Sequence, residues 1–269
     1  MNILNQIENR ISTRTYSDVS IELEEQNKLQ KLVKDLNERS EHFRFVLAFE
    51  NENQIELGTY GFIVGAKNYL FATAKLEGNK KELSFLFGMI FEEFILECEK
   101  LDLGTCWMAG TYDRKQVSEF ITLNEDEFVC MVTPIGYKMK MRIKEKAMRK
   151  LVKADKRKNS ELLFKNLDGS TLTEDNPDIL KALEMLRKAP SAKNIQPWRV
   201  FKDDKQYHFY GLENTNYQIN NFNLVHNDVG IAYYHFTKTL EFLNISFTEV
   251  NKKPQEIKSL VYLKTVVIN

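Results

Sequence analysis

The sequence predicts an α+β fold of two repeated halves, each with a mainly antiparallel sheet and a central core helix. Three observations carry that expectation. Residues 81–100 and 228–243 hold apolar side chains at three- and four-residue spacing, in stripes too broad for a surface helix. The two stretches align without gaps: Gly88, Phe94, Leu101 and Leu103 match Gly230, Phe236, Leu243 and Ile245. Each follows a helix-then-strand unit, 29–49 and 179–201, and weak self-similarity on this scale suggests duplication. Finally, strand-like runs recur at 43–49, 128–136, 207–210 and 260–268, bounded by turn residues.

Composition narrows the class. With 269 residues, 43% apolar and 28% charged, the chain can bury a large core as one big domain or two intimate halves. Its 38 basic residues balance 38 acidic ones, so no global field points to nucleic acid or membrane. No apolar run approaches the roughly 20 residues of a bilayer span. Residues 1–8 lack the basic start and apolar centre of a signal peptide, so a cytoplasmic protein is expected. Cys98, Cys106 and Cys130 are odd in number, without metal-ligand spacing, and read as buried free thiols; no metal site is expected.

Taken in order, 2–9 is a first helix with Ile3, Leu4 and Ile7 on one side. Residues 10–16 alternate. An extended backbone there puts Arg10, Ser12, Arg14 and Tyr16 on one face, opposite Ile11. Two guanidiniums and a hydroxyl form a compact anion site, although a solvated charged face is the ordinary fate of two arginines. Residues 21–36 read as helix, 43–49 as a strand before the polar turn 50–53, and 59–76 as one or two further strands. The helix over 81–100 is expected to stop at Gly104, with a second turn at Gly110. A short helix at 117–121 precedes a buried strand over 128–136, whose Pro134 requires an edge or a bulge. The basic run 138–158 reads as a solvated face or linker, and the turn-rich 165–177 as a boundary, giving halves 1–164 and 165–269. Helix 177–189, a hairpin about 202–205, helix 228–243 and strand 260–268 complete the chain.

Between helix 177–189 and the hairpin lies a stiff polar loop. Pro190 and Pro197 bracket Ser191, Asn194 and Gln196, groups that donate and accept hydrogen bonds. Such a loop suits the edge of a flat, amide-rich ligand, or is simply a helix-to-strand connection.

Three motifs, Arg10-x-Ser12-x-Arg14-x-Tyr16, Gly104-Thr105-Cys106-Trp107-Met108-x-Gly110 and Pro190-Ser191-x-x-Asn194-x-Gln196-Pro197-Trp198, together resemble the nitroreductase family. The resemblance implies a nitroreductase-like fold and bound FMN. Arg10, Ser12 and Arg14 would then hold its phosphate, ribityl chain and pyrimidine edge, with Arg14 at the pyrimidine. Met108, Ala109 and Gly110 would pass the flavin N5. The loop residues Pro190, Ser191, Ala192, Asn194 and Gln196 would contact the flavin, and Lys156 and Arg157 would reach its phosphate. No acid, base or nucleophile is assigned; His42, His208, His226 and His235 are scattered. The implied activity is NAD(P)H-dependent reduction of nitroaromatics, quinones or similar flat small molecules. Alternatives are a flavin-destroying or reductively dehalogenating relative, a ligand-binding protein with little turnover, or a relative that binds no flavin.

The order of the motifs resembles the single-chain branch called putative TM nitroreductases, in which one chain imitates a homodimer. The Arg-x-Ser-x-Arg motif lies in the first half and the Pro-Ser loop in the second. Segments 38–43, 166–172 and 244–248, where a second set would lie, lack the required residues. One FMN per monomeric pseudo-dimer is therefore expected. So is a several-fold loss of FMN affinity in Asn194→Ala, with the stability of the flavin-free protein nearly unchanged.

Overall fold

The computed structural model describes residues 1–50, 57–75, 77–213, 216–219, 222–251 and 254–269. Residues 51–53 of the expected polar turn lie outside them. Helix α1 (Ile3–Asn9) is capped by Asn2, whose side chain accepts the Asn5 N–H at 3.0 Å. An extended arm follows, bridging at Ser12 to Thr105, at Thr15 to Val64 and at Tyr16 to Lys138. Helix α2 (Leu23–Glu38) buries Leu29, Val33 and Leu36 beside β1 (Phe43–Ala48). Among the described residues of 59–76 one strand forms, β2 (Asn68–Ala74). Ahead of it the chain turns back on itself, with Ile63 N–H donating to Thr59 Oγ1 at 3.1 Å. Helix α3 (Lys80–Lys100) and β3 (Leu103–Thr105) follow, then the short α4 (Val117–Phe120) and β4 (Phe128–Tyr137). The first sheet runs β1-β2-β4-β3, antiparallel throughout.

The second sheet is built later in the chain. Helix α5 (Ile143–Leu151) and α6 (Ser160–Leu163) lead to β5 (Phe164–Asn166) and α7 (Pro177–Lys188). A 3₁₀ turn at Ala192–Asn194 precedes the hairpin β6 (Trp198–Asp203) and β7 (Gln206–Leu212). A small ribbon, β8 (Gln218–Ile219) and β9 (Phe222–Asn223), enters α8 (Leu224–Phe242), and β10 (Phe247–Val250) and β11 (Leu260–Ile268) end the chain. The order is β10-β11-β7-β6-β5, antiparallel except where β5 lies parallel to β6. Among the described residues no helix is long and apolar enough to cross a membrane.

The α3–α8 crossing is the centre of the molecule, and its two aligned glycines define it. A Cβ on Gly88 would stand 2.0 Å from the Asn227 carbonyl oxygen, and one on Gly230 2.0 Å from that of Phe85. The contact is reciprocal: each glycine receives the carbonyl three residues before the other, as across a two-fold axis. One core cluster, with Phe45, Phe87 and Phe91, packs between α3 and the first sheet; another, with Trp198, Phe209 and Phe236, packs between α8 and the second.

Several local expectations are corrected. Gly104 does not stop α3: Asp102 takes the left-handed position at φ 58°, and Gly104 lies in β3. A Cβ there would stand 2.6 Å from Thr13 Oγ1, so glycine admits the arm. The basic run contains α5, the boundary segment contains β5, and α8 starts at Leu224, capped by Asn223. Pro134 sits in the central strand β4. Just beside it the ladder is interrupted, and Cys106 N–H donates to Thr133 Oγ1 at 3.0 Å instead.

Candidate functional site

Five segments meet around a cleft of about 410 Å³: the arm after α1, the turn before β2 at Phe62 and Ile63, the turn after β3, α5 with the residues behind it, and the loop after α7. The size is that of a small-molecule pocket. The arm is stitched in place by its backbone. Thr13 N–H donates to Thr105 O at 2.8 Å, Tyr16 N–H to Val64 O at 3.0 Å, and Met139 N–H to Thr15 O at 3.0 Å. Arg10, Ser12 and Arg14 line the cleft, as does Ile11, so the expected strict alternation does not hold. Tyr16 instead turns inward, donating to Thr13 O at 2.8 Å with its ring against Gly136.

Arg10 is buried, and its Nε has no hydrogen-bond partner. That Nε lies 3.8 Å from Glu92 Oε1, a fully buried carboxylate on α3. Glu92 also accepts from Trp107 Nε1 at 2.9 Å and meets His235 Nε2 on α8 at 2.9 Å. The far nitrogen of His235 lies 3.1 Å from Met185 O. One buried network therefore joins the arm, the turn after β3 and both core helices. Such a carboxylate is affordable only because each oxygen has a polar partner. Arg14 makes a single hydrogen bond among the described residues, a long 3.5 Å contact to Ser12 O.

Of the turn residues, Met108 lines the cleft, while Ala109 and Gly110 do not. The Met108 N–H is taken by Val132 O at 2.9 Å. Cys106 also lines the cleft, but burial raises its thiol pKa, outweighing the lowering by Arg14 and Arg10; this is not a nucleophile.

Arg157 lines the cleft and Lys156 lies outside it. The Arg157 guanidinium donates to the carbonyls of Ala154 at 2.9 Å and Lys188 at 2.9 Å, while its Nε is buried and unpartnered. Burial first, and then the neighbouring positive charge of Arg10, pushes its pKa down to about 10, which leaves it charged near neutrality. Two cations with orphan donors on one wall are suited to an anion.

The loop after α7 is strained. Lys193, Asn194 and Gln196 occupy left-handed φ values of 50°, 57° and 47°, a cost that surrounding contacts must hold in place. Ser191 Oγ accepts the Gln196 N–H at 2.9 Å, and Asp228 Oδ2 accepts the Ala192 N–H at 2.9 Å. Pro190, Ser191 and Asn194 line the cleft; Ala192 and Gln196 do not. The Asn194 amide donates to the carbonyls of Lys153 at 2.7 Å and Lys156 at 3.1 Å. Gln196 Oε1 accepts Lys158 N–H at 2.8 Å, and its amide nitrogen meets Lys156 O at 3.3 Å. Both amides thus brace the basic segment. Glu92, His235 and Asp228 were missed as site-supporting residues. The one signal for Glu92 is an acid inside an apolar helical stripe, between Phe91 and Phe94.

A family model described as "Putative TM nitroreductase" matches residues 2–239. A crystal structure described as a putative nitroreductase from Thermotoga maritima is similar over 100% of this chain and 93% of its own, with 20% identity and TM-score 0.56. An FMN-dependent nitroreductase of Clostridium difficile R20291 matches 52% of this chain and 89% of its own, at 21% identity and TM-score 0.38. A putative nitroreductase from Desulfovibrio desulfuricans, in complex with FMN, matches 53% of this chain and 93% of its own, at 16% identity and TM-score 0.41. No functionally curated protein matches.

Proposed function

The chain belongs to the putative TM nitroreductase family, and we propose that it is an FMN-dependent oxidoreductase with one flavin per chain, reduced by NAD(P)H and passing electrons to a nitroaromatic, quinone or similar flat acceptor. The observation that carries the reading is the convergence in one cleft of Arg10, Ser12 and Arg14 with Arg157 and the Pro190–Asn194 loop. The residues fit the group: Arg10 Nε and Arg157 Nε are buried donors without a hydrogen bond among the described residues, Arg10 being held beside Glu92 at 3.8 Å, and Arg14 makes only a long hydrogen bond to Ser12 O among them.

Arg10 and Arg157 would hold the phosphate and Arg14 the pyrimidine edge. A fixed cation at that edge favours the negative charge that reduction develops there. Ser191 keeps its hydroxyl proton available, since its oxygen only accepts from Gln196 N–H. The cofactor, when bound, supplies hydride acceptance and two-electron delivery; the chain supplies position and field. Walls drawn from both halves of the chain support a monomer acting as a pseudo-dimer.

The purified protein should be yellow, release one FMN per chain on denaturation, and oxidise NADH or NADPH with menadione or a nitroaromatic. A colourless protein that FMN does not reconstitute refutes the reading. A yellow one that no pyridine nucleotide reduces leaves a flavin-binding protein.

A further inference from the structure

The basic segment 138–158 holds eleven lysines and arginines against two acids, in a chain of zero net charge. Part of it forms a second concavity, of about 500 Å³, on the last turns of α5 and the residues behind them. Lys146, Arg149, Lys150, Lys153 and Lys156 line it. The single acid there, Asp155, is paired with Arg149. Among the described residues none of the four lysines has a carboxylate within ion-pair distance.

The groove is built rather than a loose fringe of lysines. Lys153 takes a left-handed φ of 51°, and the chain behind it is clamped from the opposite side by Asn194, through the Lys153 and Lys156 carbonyls, and by Arg157, through the Ala154 carbonyl. It also adjoins the cleft: Arg149, Ala154 and Asp155 line both. The pair is thus a cleft proposed to hold a flat ring system, next to a nucleotide-sized basic hollow. A polyanionic polymer needs an extended track, whereas a concavity of this size suits a small molecule.

We infer that this groove receives the phosphates of the reducing dinucleotide and selects the form carrying a 2′-phosphate, NADPH, over NADH. The inference rests on the flavin reading for the identity of the dinucleotide, but the groove itself can be tested without flavin. A phosphomonoester adds about 1.5 to 2 negative charges near neutrality. Two exposed ion pairs to it amount to roughly a tenfold preference.

The direct probe is 2′,5′-ADP against 5′-AMP, followed by calorimetry on the whole protein at low and high salt. Wild type should bind 2′,5′-ADP about tenfold more tightly, and added salt should erase the difference. The exposed triple variant Lys146→Gln/Lys150→Gln/Lys153→Gln should lose it while keeping its thermal midpoint. In flavin-loaded protein the same variant should lower kcat/KM for NADPH about tenfold and for NADH less. Equal binding of the two nucleotides, or a preference that survives the triple variant, overturns the inference. So does tight oligonucleotide binding without nucleotide discrimination. A colourless protein that still discriminates between the nucleotides keeps the phosphate groove and sinks only the flavin reading. A yellow protein that does not discriminate does the reverse.

Discussion

Asp228 is a buried carboxyl without a cation, and its replacement by asparagine isolates what that burial costs. The side chain is 3% exposed in the second turn of α8. It accepts Ala192 N–H at 2.9 Å through one oxygen and Asn227 Nδ2 at 3.3 Å through the other. Burial pushes its pKa up to about 8, and the two hydrogen bonds offset only part of that. The folded-state pKa lies above the unfolded one, so the folded protein binds the proton more tightly. The resulting stabilisation is full below about pH 4 and is lost as pH rises through about 8. At about 1.4 kcal/mol per pKa unit, on the order of 4 kcal/mol is lost between pH 4 and pH 7. In Asp228→Asn the amide oxygen can keep the Ala192 N–H. The amide nitrogen can donate to Asn227 Oδ1, which is buried without a partner, once the Asn227 amide turns over. Urea midpoints of the flavin-free protein should therefore converge for wild type and variant near pH 4 and separate towards pH 8, with the variant the more stable. Parallel curves would refute the reasoning, since they require an Asp228 that titrates alike in both states.

His226 works against Asp228 over the same pH range. Burial first, then Lys81, lowers its pKa to about 4, so its contribution is present above about pH 6.5 and lost as pH falls towards 4, opposite in sign to that of Asp228; in the Asp228→Asn background, where the opposing carboxyl is gone, adding His226→Gln should flatten the acid limb in the same urea series. Arg14→Ala should weaken FMN binding and lower the flavin potential, by roughly 2–5 kcal/mol for a buried anionic edge left without its cation; unchanged flavin content and potential would place Arg14 on a solvated face. Gly88→Ala or Gly230→Ala puts a methyl 2.0 Å from a backbone carbonyl and should cost at least the roughly 1–3 kcal/mol of core overpacking; a wild-type thermal midpoint would mean the helices do not cross there. Asn194→Ala removes the donor to the Lys153 and Lys156 carbonyls and should destabilise even the flavin-free protein by about 1–3 kcal/mol, against the unchanged stability expected from sequence; thermal melts decide between the two.

Much of this architecture was legible because burial writes itself into spacing. Helices α3, α7 and α8 bury apolar faces at three- and four-residue intervals, and the glycine alignment of α3 with α8 marks where they cross. Helix α5 was not legible, because it reverses the usual pattern. Its buried Glu145 accepts from Thr15 Oγ1 at 2.8 Å, while Ile143 is 87% and Leu151 82% exposed. Strand β10 shows no alternation because its middle residues face solvent. In the site, the arginines and the Pro-Ser loop were readable as motifs. The work of Asn194 and Gln196 was not, since their amides are satisfied by carbonyls and an N–H about forty residues earlier. Spacing carries no trace of such a pairing.

That pairing also bears on how the two halves share the building of the cleft. The loop after α7 reaches back across the repeat to 152–158, while the arm after α1 is stitched within the first half to Val64 and Thr105. The segments that would have to build a mirror-related site are engaged elsewhere. Asn166 donates to Ser170 Oγ at 3.0 Å and Thr171 O at 3.0 Å, and Asp168 holds Ser170, closing that turn on itself. Arg39 is paired with Glu93 at 2.8 Å. An aspartate offers a phosphate no attraction of the kind Arg157 provides, and Arg39 is already held by Glu93. A ligand in this cleft therefore touches elements from both halves of the chain. By mass action it adds about 2.7 kcal/mol of stability to the folded chain at a hundredfold excess over its dissociation constant.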